Sequence, residues 1–144
     1  MNEVIIRKAN KNDIAQVREL SNIPGLQVAG ESRAPSEKWF NSFIEEKQLF
    51  FVAEKATKIV GFIVGERVTG NIGYLWEIGT NQNLRSKGIG SSLLNKFVEE
   101  CEKRKFRFII AYGHENKKTL NFFRKNNFIS GADYKELRLD LKNF

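Results

Sequence analysis

Apolar residues recur along this chain with two periods, and the switches between them predict its elements. The run Val4-Ile5-Ile6-Arg7 reads as a first strand, and Asn10-Lys11-Asn12-Asp13 offers capping side chains ahead of Ile14, Val17 and Leu20, which are spaced as one face of a helix. Residues 21–35 hold no sustained period and contain Pro24-Gly25, so they read as a loop or a short irregular helix. Ser36 is suited to cap a second helix, in which Trp39, Phe40, Phe43 and Ile44 form an apolar stripe opposite Glu37, Lys38, Asn41, Glu45 and Glu46.

Three strand-like runs follow at 49–54, 58–67 and 74–80, joined by short polar or glycine-containing turns, and they suggest an antiparallel meander. Ile89, Leu93, Leu94, Phe97, Val98 and Cys101 mark a helix with a broad apolar face, ending in Lys103-Arg104-Lys105, the charge sign a helix C-terminus favours. Residues 106–112 are a continuous apolar strand broken only by Arg107. A strand-helix-strand crossover of this length implies parallel pairing with the strand before the helix, so a mixed sheet is expected. Asn116 can cap a short helix through Phe122 and Phe123, Asn127 suits a left-handed helix stop, and residues 128–129 and 137–141 read as closing strands.

Composition narrows the class. With 144 residues, 41% of them hydrophobic, the chain is expected to form a single domain spanning 1–144. No run is long enough to cross a bilayer, and Met1-Asn2-Glu3-Val4 lacks the layout of a secretory signal, so a soluble, cytoplasmic protein with no membrane partner is expected. The lone Cys101 excludes an intramolecular disulfide and falls on an apolar helix face, where packing is its expected role. His114 is the only histidine, too few ligands for a structural zinc, and no metal is expected. The net charge of +7 suits either nucleic acid or a small polyanion. Its cations are scattered and interleaved with acids, as in Glu99-Glu100-Cys101-Glu102-Lys103-Arg104, without a basic tail or recognition motif. That distribution favours the small polyanion, with no nucleic-acid partner.

A site for a polyanion is legible in Leu84-Arg85-Ser86-Lys87-Gly88-Ile89-Gly90-Ser91-Ser92. Gly88 and Gly90 permit close backbone approach and positive φ, and the helix behind them offers unpaired N–H groups and the positive end of its dipole. Arg85 and Lys87 reinforce that charge. The P-loop signature fails because Lys87 precedes both glycines, and the dinucleotide fingerprint fails because Leu93 occupies its third small position.

The remaining pattern, Arg85-x-x-Gly88-x-Gly90, resembles the acetyl-CoA-binding loop of the GCN5-related N-acetyltransferases, the GNAT superfamily. Asn116-x-x-Thr119, Phe122-Phe123 and Asn127-Phe128 are similar, at the same spacings, to the family's second motif, and Ile5-Arg7-Ala9 with Asp13-Ile14 resembles its usual opening. The resemblance covers nearly the whole chain. It implies an α/β (α+β) fold with a mixed, mostly antiparallel sheet of six to seven strands and about four helices, strands four and five being parallel and splayed.

By the same resemblance, Arg85, Ser86, Lys87, Gly88, Ile89, Gly90 and Ser91 would hold the pyrophosphate of acetyl-CoA. Ile78, Gly79 and Thr80 would pair with the pantetheine arm, with Gly79 marking a bulge that splays the strands. Asn116 would lie near the pantetheine, and Lys117, Lys118 and Arg124 are candidates for the terminal phosphate or for a solvated helix face. The implied activity is direct acetyl transfer to a primary amine of a small molecule or peptide. Dimers are common in the family, so a homodimer is compatible with the resemblance.

One position departs from the family. Phe123 takes the place of the cofactor-side tyrosine that many members use as general acid, and phenylalanine donates no proton. Tyr112 or His114 would serve instead, or the thiolate leaves unassisted, as its pKa permits. A non-catalytic acyl-CoA-binding sensor on the same fold is the alternative that Phe123 leaves open. Glu77 is the first candidate base, because acids on this strand have that role in several members. Strict alternation sets Leu75, Glu77 and Gly79 on one face against Tyr74, Trp76 and Ile78, and the flanking Trp76 and Ile78 would desolvate the carboxylate. A solvated or salt-bridged glutamate is the competing reading, and Glu31 and Glu115 are weaker candidates for attracting a cationic amine.

Overall fold

Five strands form one sheet in sequence order. Strand β1 (Val4–Lys8) pairs antiparallel with β2 (Leu49–Lys55), β2 with β3 (Lys58–Val68) and β3 with β4 (Ile72–Thr80), and β5 (Ile109–Ala111) joins β4 in parallel. The helices are α1 (Ile14–Ser21), α2 (Glu37–Glu45), α3 (Ile89–Lys103) and α4 (Lys117–Lys125). The computed structural model describes residues 3–21, 34–84, 88–112, 117–133, 135, 137–139 and 141. The chain divides into two compact units, Met1–Tyr112 and Gly113–Phe144. No helix among the described residues is long and apolar enough to cross a membrane.

In the first unit, helices cover both faces of the sheet. Ile14 and Val17 of α1 and Phe40 and Phe43 of α2 pack with Phe50, Val52, Phe62 and Val64, the alternate residues of β2 and β3. On the opposite face α3 lies down on glycines. A Cβ at Gly61 would come within 3.0 Å of Leu93, one at Gly65 within 2.6 Å of the Phe97 ring, and one at Gly73 within 3.1 Å of the Cys101 sulfur. Cys101 is therefore a packing residue, and burial pushes its thiol up to about 12, far from a reactive thiolate.

The entry to α1 is fixed by charge. Asn10 and Asp13 form a capping box around a 3-10 turn, and the Arg7 guanidinium donates to both Asp13 oxygens, at 2.8 and 2.9 Å, and to Glu54 at 2.8 Å. Burial opposes the charge on Asp13, yet the Arg7 and Asn10 hydrogen bonds hold its carboxyl below the usual value.

Two expectations need correction. Among the described residues the sheet has five strands, not six to seven: residues 128–129 and 137–139 make no ladder, and Leu137, Leu139 and Leu141 are 91%, 84% and 71% exposed. Alternation marks a candidate strand, but it becomes one only with a hydrogen-bonding neighbour at its edge and a packed layer on its apolar face. Strand β5 is also shorter than 106–112. Lys105 adopts φ 58°, and the Phe106 amide donates to the Cys101 carbonyl, so the start of that apolar run is consumed by the left-handed stop of α3. In the second unit Asn127, at φ 72°, ends α4 in the expected way, with the Phe128 amide donating to the Phe123 carbonyl.

Candidate functional site

The centre of β4 departs from regular pairing at one residue. Val64 lies opposite Glu77 and Gly65 opposite Leu75, which leaves Trp76 unpaired in a bulge. Residues opposite one another share a face of the sheet. Leu75, opposite Gly65, and Ile78, opposite Ile63, therefore share the α3 face, whereas Glu77, opposite Val64, and Gly79, opposite Phe62, share the α1/α2 face with Tyr74. This corrects the alternation expected from sequence, and it moves the expected bulge from Gly79 to Trp76. The extra residue re-aims Glu77 so that it follows Trp76 on the same side.

Glu77 is then met by α1. The hydroxyl of Ser21, the last residue of that helix and fully buried, donates to Glu77 Oε2 at 3.0 Å. Burial pushes the Glu77 carboxyl up to about 7, and the Ser21 hydrogen bond opposes the rise by favouring the ionised form. No charge from α1 (Arg18, Glu19), α2 (Glu37, Lys38, Glu45) or β3 (Glu66, Arg67) is among the causes of the shift. A desolvated carboxylate poised near neutrality suits proton abstraction, and no ion pair among the described residues holds Glu77.

Aromatic rings continue this face. Trp76 stands 6.0 Å from Trp39 of α2 and 4.6 Å from Tyr74, and Tyr74 is 5.7 Å from Tyr112, just past β5. The Trp76 indole donates to Glu66 at 2.7 Å.

Beyond Leu75 the edge of β4 changes character. Strand β5 pairs only with Gly73–Leu75, so residues 76–80 of β4 run on without a β5 partner among the described residues. Ile78 and Thr80 are half-buried and Gly79 is buried. Asn81 then turns the chain, its amide donating to the Val60 carbonyl and its side-chain oxygen accepting from the Asn83 amide. Gly88 caps α3 in the left-handed region at φ 78° without a side-chain cap, so the amides of Ile89, Gly90 and Ser91 begin a helix with no intrahelical acceptors. Ile89 is anchored in the core, and Gly88 is exposed.

Arg85, Ser86, Lys87, His114, Glu115, Asn116 and Glu31, all singled out from sequence, lie outside the described residues, as does the Lys117 side chain. Within the second unit Phe123 is buried against Phe122 and Phe128, at 5.4 and 5.1 Å, and Arg124 donates to Ser130. Sequence reasoning missed Ser21. It occupies the position one heptad after Ile14, on the apolar stripe of α1, where a polar residue is itself a signal.

A sequence model of the acetyltransferase (GNAT) family matches residues 14–128. An uncharacterized N-acetyltransferase of Methanocaldococcus jannaschii is 26% identical over 134 residues, and the match covers 85% of this chain and 59% of that relative, so the chain spans under two thirds of its length. Among solved structures, Ard1 from Thermoplasma volcanium is similar with a TM-score of 0.76 at 21% identity, covering 90% of this chain and 84% of the other. The structure of yncA from Salmonella typhimurium with its cofactor acetyl-CoA gives a TM-score of 0.75 at 18% identity, covering 90% and 81%.

Proposed function

The chain belongs to the acetyltransferase (GNAT) family, and from that premise we propose that it transfers the acetyl group of acetyl-CoA to a primary amine, with Glu77 as the general base. The observation that carries this reading is the half-buried Glu77 carboxylate, re-aimed by the Trp76 bulge and held by Ser21, on the strand whose continuation lacks a β5 partner among the described residues. The reading is supported at the cofactor end by α3, whose N-terminal amides follow a left-handed Gly88.

In this mechanism the diphosphate of acetyl-CoA would be held by the amides of Gly88, Ile89, Gly90 and Ser91 with Arg85, Ser86 and Lys87, and the pantetheine arm would pair with the backbone of Ile78, Gly79 and Thr80. Glu77 takes a proton from the bound ammonium, directly or through a water. The freed nitrogen lone pair attacks the thioester carbonyl carbon, and a backbone N–H in the 78–80 stretch stabilises the tetrahedral oxyanion. Collapse breaks the carbon–sulfur bond and expels the coenzyme A thiolate, while the nitrogen, cationic after its attack, gives up its second proton to solvent to leave the neutral amide. Tyr112, on the Glu77 face of the sheet, supplies a proton to that sulfur; a thiolate of ordinary pKa also leaves unaided.

The non-catalytic alternative rests on Phe123, which replaces the usual acid. It predicts acetyl-CoA binding without turnover. Calorimetry with acetyl-CoA, followed by a thiol-release assay over a panel of primary amines, separates the two: release that depends on both substrates supports the transferase, binding alone supports the sensor, and no binding at millimolar ligand removes both.

A further inference from the structure

Resting on the transferase reading of this face, we propose that the acceptor is a small primary amine carried on an aromatic body, which stacks on the Trp76-centred ring row while its ammonium faces Glu77. Large aromatics that serve only the core are buried, as Phe40, Phe51, Phe62 and Phe97 are here. Trp76 and Tyr112 break that rule at 47% and 61% exposure, although their rings belong to a contiguous row with Tyr74 and Trp39.

The row is also oriented. The Trp76 indole N–H is held by Glu66, which fixes the ring plane, and the bulge puts this ring immediately before the carboxylate. Charge complements the same ligand. In a chain of net charge +7, the described acids of β3 and β4 on this face are Glu66 and Glu77, and the nearby cation of α1, Arg18, is turned to the Pro35 carbonyl. Glu66 is engaged by the Trp76 indole, which leaves Glu77 to take one ammonium and the ring faces to take the flat apolar body that carries it.

Both tryptophans of the chain, Trp39 and Trp76, stand in this row, so intrinsic fluorescence reads the site directly. The test titrates the full chain, with coenzyme A present, with 2-phenylethylamine, butylamine and spermidine. It repeats the affinities by calorimetry in Trp76→Ala and, should that variant fold poorly, in Trp76→Leu. The expected result is binding of 2-phenylethylamine about tenfold tighter than butylamine or spermidine, with a fluorescence change. The preference should disappear in the Trp76 variants while acetyl-CoA affinity stays. Equal affinity for the three amines, or a preference that survives loss of the indole, overturns the proposal. Aromatic-selective binding without thiol release would keep this surface and overturn the transferase reading, whereas release from all amines with equal kcat/KM would do the reverse.

Discussion

The Ser21 hydroxyl donates to Glu77 Oε2 at 3.0 Å, joining the end of α1 to the middle of β4. Among the described residues it is the interaction that opposes the rise of the Glu77 carboxyl, since it favours the charged form. Ser21→Ala should therefore move the acidic limb of the kcat/KM profile upward by about one pH unit or more. Ser21→Thr, which keeps the hydroxyl, should leave the limb close to wild type. An unshifted midpoint in the alanine variant would reduce Ser21 to a packing residue.

The same carboxyl links stability to pH. Glu77 is raised from 4.5 to about 7 in the folded chain, so its contribution to stability is fully present below 4.5 and is lost as pH rises through 7. Glu77→Gln removes that loss while keeping an acceptor for Ser21. Urea midpoints should agree between the two proteins near the acid end, and above neutrality the variant should be the more stable by up to about 3 kcal/mol. A variant less stable than wild type at high pH would contradict the burial of the carboxylate.

Gly65 sits where the β3–β4 register breaks, and a Cβ there would fall 2.3 Å from the Tyr74 carbonyl oxygen and 2.6 Å from the Phe97 ring. Backbone cannot yield as a flexible side-chain tip can. Gly65→Ala should cost more than about 2 kcal/mol in denaturant unfolding. Gly131→Ala, with open space around it and no positive φ, is the matched neutral control.

Gly88 isolates the conformational requirement at the start of α3. Its φ is +78° and a Cβ would meet nothing within 4 Å, so alanine there is strained without being crowded. Gly88→Ala should cost about 1 kcal/mol of stability and weaken acetyl-CoA binding, and Gly88→Asn should lose less of both, because asparagine tolerates the left-handed region. Calorimetry and urea unfolding on the two variants check this; equal losses would mean the chain does not need that conformation.

Much of the fold was legible because its signals are local. Asn10 and Ser36 cap where capping residues were expected, Asn127 takes the left-handed stop, and the apolar stripes of α1, α2 and α3 face the sheet. What escaped depends on pairing. Strict alternation on β4 failed because the bulge at Trp76 is a property of two strands and leaves no mark in one. The leucines at 137, 139 and 141 alternate as a strand would, yet pairing decides whether such a pattern becomes one. Glu77 was named from its strand position, whereas its partner Ser21 lies 56 residues away, a juxtaposition that only the tertiary structure provides.

The pH dependence of kcat/KM for thiol release from acetyl-CoA, measured between about pH 5 and pH 9 for wild type and Glu77→Gln, tests the central claim most directly. Wild type should rise through a midpoint near 7, where the Glu77 carboxyl ionises, and then level off. The glutamine variant should be slower by at least about a hundredfold and should lack that limb. A glutamine variant with wild-type rate and an unchanged limb would contradict the account, because the proton would then be taken by another group.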